Sequence, residues 1–186
     1  MPEETPSIQH EQVDSRRLYE GAILNLREDT VRLPSGRAAP WLVVEHPGAV
    51  VVLAIDGEGR VLLVRQYRHP TGRSLLELPA GTRDPGEDAA ACAERELREE
   101  TGFRPGRLER LGGFYAAPGY CTEYLEAYLA TRLEPGPLHS GDEEGLEVEA
   151  LPLEDVLALA AAGGIEDAKS LAALLLYLRR HTPPSR

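Results

Sequence analysis

Residues 81–103, GTRDPGEDAAACAERELREETGF, hold a short helix with signals at both ends and a crowd of acids along it. Pro85 and Gly86 break whatever precedes it. Glu87 and Asp88 put negative charge in a first turn, where the helix dipole favours it, and Gly102 stops the chain after Thr101. The spacing predicts a helix over Glu87–Thr101. Ala89, Ala90, Ala93 and Leu97 form a narrow apolar side that lets its back lie close to a sheet. Glu96 and Glu100 are four apart and Glu99 is three from Glu96, so the carboxylates converge on one side at Cβ spacings of about 5–6 Å. Like charges so placed repel by roughly 0.2–0.5 kcal/mol per pair, and a divalent cation is a reason to gather them. Oxygen ligands select Mg²⁺ or Mn²⁺, and a magnesium site takes only one or two protein carboxylates, with substrate phosphate and water completing it. From the carboxylates alone, a solvated acidic helix with links such as Glu94 to Arg98 is the alternative.

Working outward, the first ten residues, MPEETPSIQH, are polar, and order is expected to begin near Tyr19. YEGAILNLREDTVRLPSG reads as two short strands, the second ending at a turn over Pro34 to Gly36. WLVVEH, AVVVLAID, VLLVRQYR and LLELPA follow as strand-like runs, separated by Pro47-Gly48, Gly57-Glu58-Gly59 and Thr71-Gly72-Arg73. Further strands are expected at Leu108–Tyr115, Glu123–Thr131 and Gly145–Pro152, then helices at Leu153–Ala162 and Ala168–Arg180. Strands flanked by helices on both faces imply an α/β/α sandwich with a mixed sheet. The division expected is residues 1–44 as a tail and small β element, and 45–186 as the main domain.

The chain has 186 residues, enough for one domain with an accessory element, and a formal net charge of -11. That excess disfavours a nucleic-acid binder, which needs clustered Lys and Arg for phosphate contacts. Cys92 and Cys121 match neither a metal-ligand pattern nor a disulfide framework, and Cys92 reads as a packed helix residue. No signal peptide or 18-residue apolar run is visible, and Leu171 to Leu178 is too short to span a bilayer. A soluble, cytoplasmic protein without a membrane partner is expected.

Gly81, Glu87, Arg95, Glu96, Leu97, Glu99, Glu100, Gly102 and Phe103 fall in order on every fixed position of a known motif: glycine, five residues, glutamate, seven residues, then Arg-Glu-apolar-x-Glu-Glu-x-Gly-apolar. The stretch resembles the box of the Nudix hydrolases, with Phe103 where aliphatic residues are more usual. The resemblance implies the Nudix fold over about residues 45 to 180. It also implies Glu96 and Glu100 as metal ligands, completed by Glu99 and the backbone carbonyl of Ala80, and a bracing ion pair between Glu87 and Arg95. VEHPGAVVVLA, VRQYRHP, LLELPAG and Ile165-Glu166-Asp167-Ala168-Lys169-Ser170 resemble the ADP-ribose pyrophosphatase branch. Pro118 and Gly119, a turn by themselves, lie where that branch has its substrate loop followed by a glutamate, here Glu123, although Ala117 replaces the usual serine.

Arg68 follows a strand end, and its planar fork suits a substrate diphosphate. The other reading is a rim arginine paired to Glu45 or Glu77. Glu77, two residues before Pro79, faces the metal helix if the alternation holds, and joins the substrate set. The resemblance makes Trp41, the sole tryptophan, a candidate to stack on adenine; a strand or interface anchor is the alternative. Asp142, Glu143 and Glu144 lie in an acidic stretch that reads as a mobile loop. In the branch resembled, this loop carries a catalytic glutamate and a carboxylate near the metals. Alignment on Leu146-Glu147-Val148 favours Glu144, with Glu143 and Asp142 as alternatives.

The activity implied is hydrolysis of the ADP-ribose diphosphate to AMP and ribose 5-phosphate, with two or three Mg²⁺ (or Mn²⁺) ions neutralising the phosphates and acidifying a water. Another nucleoside diphosphate sugar or nucleotide, or a sensing module without turnover, are the alternatives; the complete acid set weighs against the sensor. Ala22-Ile23-Leu24 and Trp41-Leu42-Val43-Val44 are apolar stretches outside the main core, and a two-stranded piece is marginal alone. Together with the resemblance they imply a homodimer.

Overall fold

The computed structural model describes residues 10–136 and 145–181, which fall into two units. The smaller unit comprises Met1–Pro47 with Ala117–Glu123. Its three-stranded antiparallel sheet runs β1 (Glu11–Glu20), β2 (Asn25–Arg32), β3 (Ala38–Glu45), in that order. Order therefore begins earlier than Tyr19. The residues of β1 are all exposed and mostly polar, so no apolar alternation marks the strand. Pairing with β2 and polar cross-strand links, such as Ser15 Oγ donating to Asp29 at 2.7 Å, define it instead. Residues 117–123 join this unit through backbone bonds to Val44, whose N–H donates to the Tyr120 carbonyl at 2.7 Å and whose carbonyl accepts from Thr122 at 2.9 Å.

The larger unit, Gly48–Ala116 with Tyr124–Arg186, is built on β4 (Ala49–Ile55), β5 (Arg60–Arg68), β6 (Arg73–Glu77), β7 (Ala80–Thr82), β8 (Phe103–Tyr115), β9 (Tyr124–Pro135) and β10 (Glu147–Pro152). The order is β10-β5-β4-β9-β8, with β6 paired to β5 and β7 to β4. β4 and β9 run parallel and the remaining pairs antiparallel, so the sheet is mixed. The apolar run of β4 is buried on both faces, as a central strand under two helical layers must be. Val50, Val52 and Ala54 pack with Ala89, Cys92, Ala93 and Leu97 of helix α1 (Ala89–Thr101). Val51 and Leu53 face the opposite core, with Val156 of α2 (Leu153–Ala161) and Ala173 and Leu174 of α3 (Ala168–His181). The outcome is an α/β/α sandwich accompanied by a small N-terminal β element. Leu97 is fully buried, and truncating it to alanine is expected to cost about 2–5 kcal/mol.

Helix α1 starts two residues later than the spacing predicts. Asp88 keeps an extended backbone and caps the helix, its carboxylate accepting from the N–H of Ala90 at 2.9 Å and Ala91 at 3.3 Å. Glu87 therefore lies outside the helix, with its side chain turned towards Arg95. At the other end Gly102 adopts φ 75°, a left-handed conformation that glycine tolerates, and donates to the Arg98 carbonyl. The run LLELPA divides at Leu78-Pro79, so that β6 serves one neighbour and β7 another.

Candidate active site

α1 lines up its acids and β7 supplies the backbone opposite them. Glu96 and Glu100 are 9% and 4% exposed. Ala80 N–H donates to Glu100 Oε2 at 3.0 Å. Arg95 stands among five accepting residues: it donates through Nε and Nη2 to the two oxygens of Glu87 at 2.9 and 2.8 Å, through Nη1 to Glu96 at 2.7 Å and Glu99 at 3.1 Å, and through Nη2 to the Thr82 carbonyl at 3.2 Å and Cys92 Sγ at 3.5 Å. The Arg95 guanidinium holds the Glu87 carboxyl down at about 2, assisted by the Asp84 N–H and opposed by burial. The bracing pair that the resemblance implies is present, made by Glu87 from outside the helix, and the same arginine also reaches Glu96 and Glu99. Arg98 adds a contact to Glu99 at 3.3 Å. Cys92 is buried, and desolvation pushes its thiol up to about 12, which makes it an inert packing residue.

Gly81 has a specific steric reason. A Cβ built there would lie under 3 Å from Cδ, Oε1 and Oε2 of Glu96. The missing side chain is the room that this carboxylate occupies. A buried acid is costly without compensating charge, and two such acids on one helix face, one seated in a cradle that a methyl would fill, fit a hard divalent cation. Among the described residues, no group of three or more His, Cys, Asp or Glu side chains closes on a point as a ready-made ion site.

Arg68, at the end of β5, grips Glu77 with both prongs of its fork, Nε to Oε1 at 2.8 Å and Nη2 to Oε2 at 2.7 Å. Glu77 is 1% exposed. Its second cation, absent from the sequence reading, is Lys169 in the first turn of α3, which donates to Oε2 and also pairs with Asp167 at 3.0 Å. The sequence expectation turned Glu77 towards the metal helix and into the substrate set; both of its oxygens are engaged by Arg68 and Lys169. Hydrogen bonding from Arg68 and the charge of Lys169 outweigh burial and hold the Glu77 carboxyl below its ordinary range. The Arg68 guanidinium is stabilised chiefly by Glu77, with smaller contributions from the fields of Asp167 and Glu100. Ser170 completes the group: its Oγ donates to Asp167 at 2.6 Å and accepts the Leu78 N–H at 2.8 Å. The only sequence hint to Lys169 and Ser170 was the string before the last helix.

Trp41, Pro118, Gly119 and Glu123 belong to the smaller unit. Trp41, on β3, is 46% exposed and tilts against His10 with ring centroids 5.4 Å apart. Pro118 and Gly119 form a turn closed by the N–H groups of Tyr120 and Cys121 donating to the Ala117 carbonyl. Glu123 lies 3.8 Å from His46 Nδ1. Glu45, the other partner considered for Arg68, pairs with Arg17 and Arg27. Asp142, Glu143 and Glu144 lie outside the described residues.

Comparison with known proteins places the chain in a family. A NUDIX domain model matches residues 45–174, and a model of the nucleoside diphosphate sugar hydrolase N-terminal domain matches residues 11–44. The chain is 35% identical over 170 residues to the ADP-ribose pyrophosphatase of Bacillus subtilis (strain 168), covering 90% of this chain and 92% of that protein. It is 39% identical over 168 residues to the ADP-ribose pyrophosphatase of Mycobacterium tuberculosis (strain ATCC 25618 / H37Rv), covering 89% and 81%. In fold it resembles the crystal structure of an ADP compounds hydrolase, with a TM-score of 0.82 and 24% identity over 96% of this chain and 99% of that one. With the domain model spanning most of the chain and relatives this similar along nearly its whole length, the chain belongs to the NUDIX family.

Proposed function

We propose that this Nudix-type pyrophosphatase hydrolyses the diphosphate of ADP-ribose, adding water across it to release AMP and ribose 5-phosphate. The observation that carries the reading is the buried pair Glu96 and Glu100 on α1, with Glu96 seated against Gly81 and braced by Arg95. The ADP-ribose pyrophosphatases of B. subtilis and M. tuberculosis, similar along nearly the full chain, support the choice of substrate. Glu96 and Glu100, with Glu99 and the Ala80 carbonyl, would hold Mg²⁺, or Mn²⁺ in its place. Ions so bound neutralise the two phosphates and acidify water. Arg68 presents a delocalised cation to the diphosphate. A glutamate of the 142–144 stretch, Glu144 first, orients the attacking water and takes its proton. Arg95 and Glu87 touch no substrate; they fix the helix that carries the acids.

Residues 45–186 form the hydrolase domain in this reading, and residues 1–44 serve dimerisation and the adenine pocket, supported by the meeting of the two family matches between residues 44 and 45. A cytoplasmic location suits a nucleotide substrate, and among the described residues no helix is long and apolar enough to cross a membrane. A second reading, another nucleoside diphosphate sugar, is favoured by the broader description of the family matched at residues 11–44. A panel of ADP-ribose, other nucleoside diphosphate sugars and dinucleotides, assayed with Mg²⁺ and with Mn²⁺ and resolved by chromatography, separates them. ADP-ribose should give the highest kcat/KM and equimolar AMP and ribose 5-phosphate. A higher kcat/KM for another sugar nucleotide selects the second reading, and turnover without added divalent ion refutes the metal assignment.

A further inference from the structure

Among the described residues Glu77 is the most deeply buried carboxylate, and two cations of unequal accessibility share it. The Arg68 side chain is 38% exposed and that of Lys169 only 17%. Lys169 is held from behind: Asp167 pairs with it, Asp167 is tied to Ser170, and Ser170 accepts the N–H of Leu78, the residue after Glu77. The start of α3 is therefore stapled to the end of β6, and the ammonium is presented to Glu77 from the inner side. Across Arg68, Lys169, Glu77 and Asp167 the charges sum to zero. Arg68 also feels the charge of Glu100 on the acidic helix.

A buried carboxylate left without a cation is strongly unfavourable. If Arg68 were the sole partner of Glu77, turning its fork towards a diphosphate would strand that charge. We propose that Lys169 is a positioning residue for substrate binding: it keeps a cation against Glu77, shared with Asp167, so that Arg68 can redirect its guanidinium to an anionic diphosphate. This inference rests on the reading of Arg68 as the diphosphate grip. Lys169 touches no substrate; its effect reaches the ligand through Glu77 and Arg68. Without Lys169, Glu77 holds Arg68 more tightly, and the loss falls on binding more than on the chemical step.

The test is steady-state kinetics with ADP-ribose, accompanied by calorimetric Kd for the same compound and a thermal melt of each variant. Lys169→Met is expected to raise KM and Kd about tenfold while kcat changes less than about threefold. Lys169→Arg, which keeps the cation, should stay within about threefold of the parent. In the double variant Lys169→Met/Glu77→Gln the neutral amide no longer captures Arg68, and KM should return to within about threefold of the parent. A purely structural role for Lys169 would lower the melting temperature without this recovery. Should Lys169→Met fail to fold, Lys169→Gln and the double variant, which leaves no buried unpaired charge, carry the same comparison. Parental KM and Kd in the Lys169 variant, or a raised KM that Glu77→Gln does not recover, overturns the proposal. Arg68→Lys separates the two readings: parental KM there removes the grip itself and this inference with it. A raised KM there with a silent Lys169 variant removes this inference alone.

Discussion

Replacing Gly81 by alanine is expected to disable turnover while leaving the fold in place. The new methyl would sit under 3 Å from three atoms of the Glu96 carboxylate, well inside an ordinary carbon contact of about 3.5–4.0 Å. Gly81 does not have a positive φ, so the backbone accepts alanine. The obstacle is the far end of a flexible side chain, so Glu96 yields by well over an ångström and its hydrogen bond from Arg95 is lost or bent. Stiffening the unfolded chain contributes about 0.4–1 kcal/mol towards stability, and losing the hydrogen bond to a charged group costs about 1.5–3 kcal/mol. Net destabilisation should be about 1–2 kcal/mol. A ligand carboxylate displaced that far should lower kcat by at least about 10²-fold. The assay is kcat and KM for ADP-ribose at saturating Mg²⁺, with urea unfolding of Gly81→Ala, Glu96→Ala and the double variant. In the Glu96→Ala background the methyl meets no carboxylate, so Gly81→Ala should there be neutral or stabilising. Parental kcat in Gly81→Ala, or an unfolding penalty that persists when Glu96 is absent, would refute the steric argument.

Glu96→Gln and Glu100→Gln keep size and remove charge, so both should fold and lose divalent-dependent turnover by orders of magnitude; Glu99→Gln should lose less. Full activity in either of the first two at saturating Mg²⁺ removes that residue from the ligand set. Because the Glu87 carboxyl is held at about 2, below its ordinary range, its stabilisation is complete above the unfolded value of about 4.3 and disappears as pH falls through the folded value. Glu87→Gln should therefore cost roughly 2–3 kcal/mol at pH 7, towards the low end because Arg95 keeps Glu96 and Glu99. The gap to the parent in urea midpoints should close between about pH 4.5 and pH 2, and a gap that does not depend on pH contradicts the ion pair. Light scattering at micromolar protein should give about twice the 20.3 kDa chain mass. A monomer with undiminished activity rules out the dimer and the shared adenine pocket.

Short-range features are legible in the sequence. The α1 region is legible because its signals act within a turn or two: a Pro-Gly break before it, a glycine that tolerates a left-handed backbone after it, and acids three and four apart; that Asp88 caps the helix and does not sit in its first turn came from the structure. The Glu87–Arg95 pair is legible only as a motif position: Glu87 reaches Arg95 from outside the helix, which an offset of two helical turns does not describe. The central strands β4 and β5 show their apolar runs because burial demands it. β1 carries no such mark: its residues are exposed, so no hydrophobic periodicity is required of them, and only its pairing with β2 makes it a strand. The division of LLELPA between two neighbours and the parallel pairing of β4 with β9 depend on chain paths across the sheet. Gly81 is a motif position in the sequence; that its empty side faces the Glu96 carboxylate is a property of β7 packed against α1. The grouping of Glu77 with Lys169, 92 residues further on, is the clearest case. Charge compensation of a buried acid needs proximity in space, sequence spacing carries no information on it, and only the docking of α3 beside β6 decided which cation would share Glu77 with Arg68.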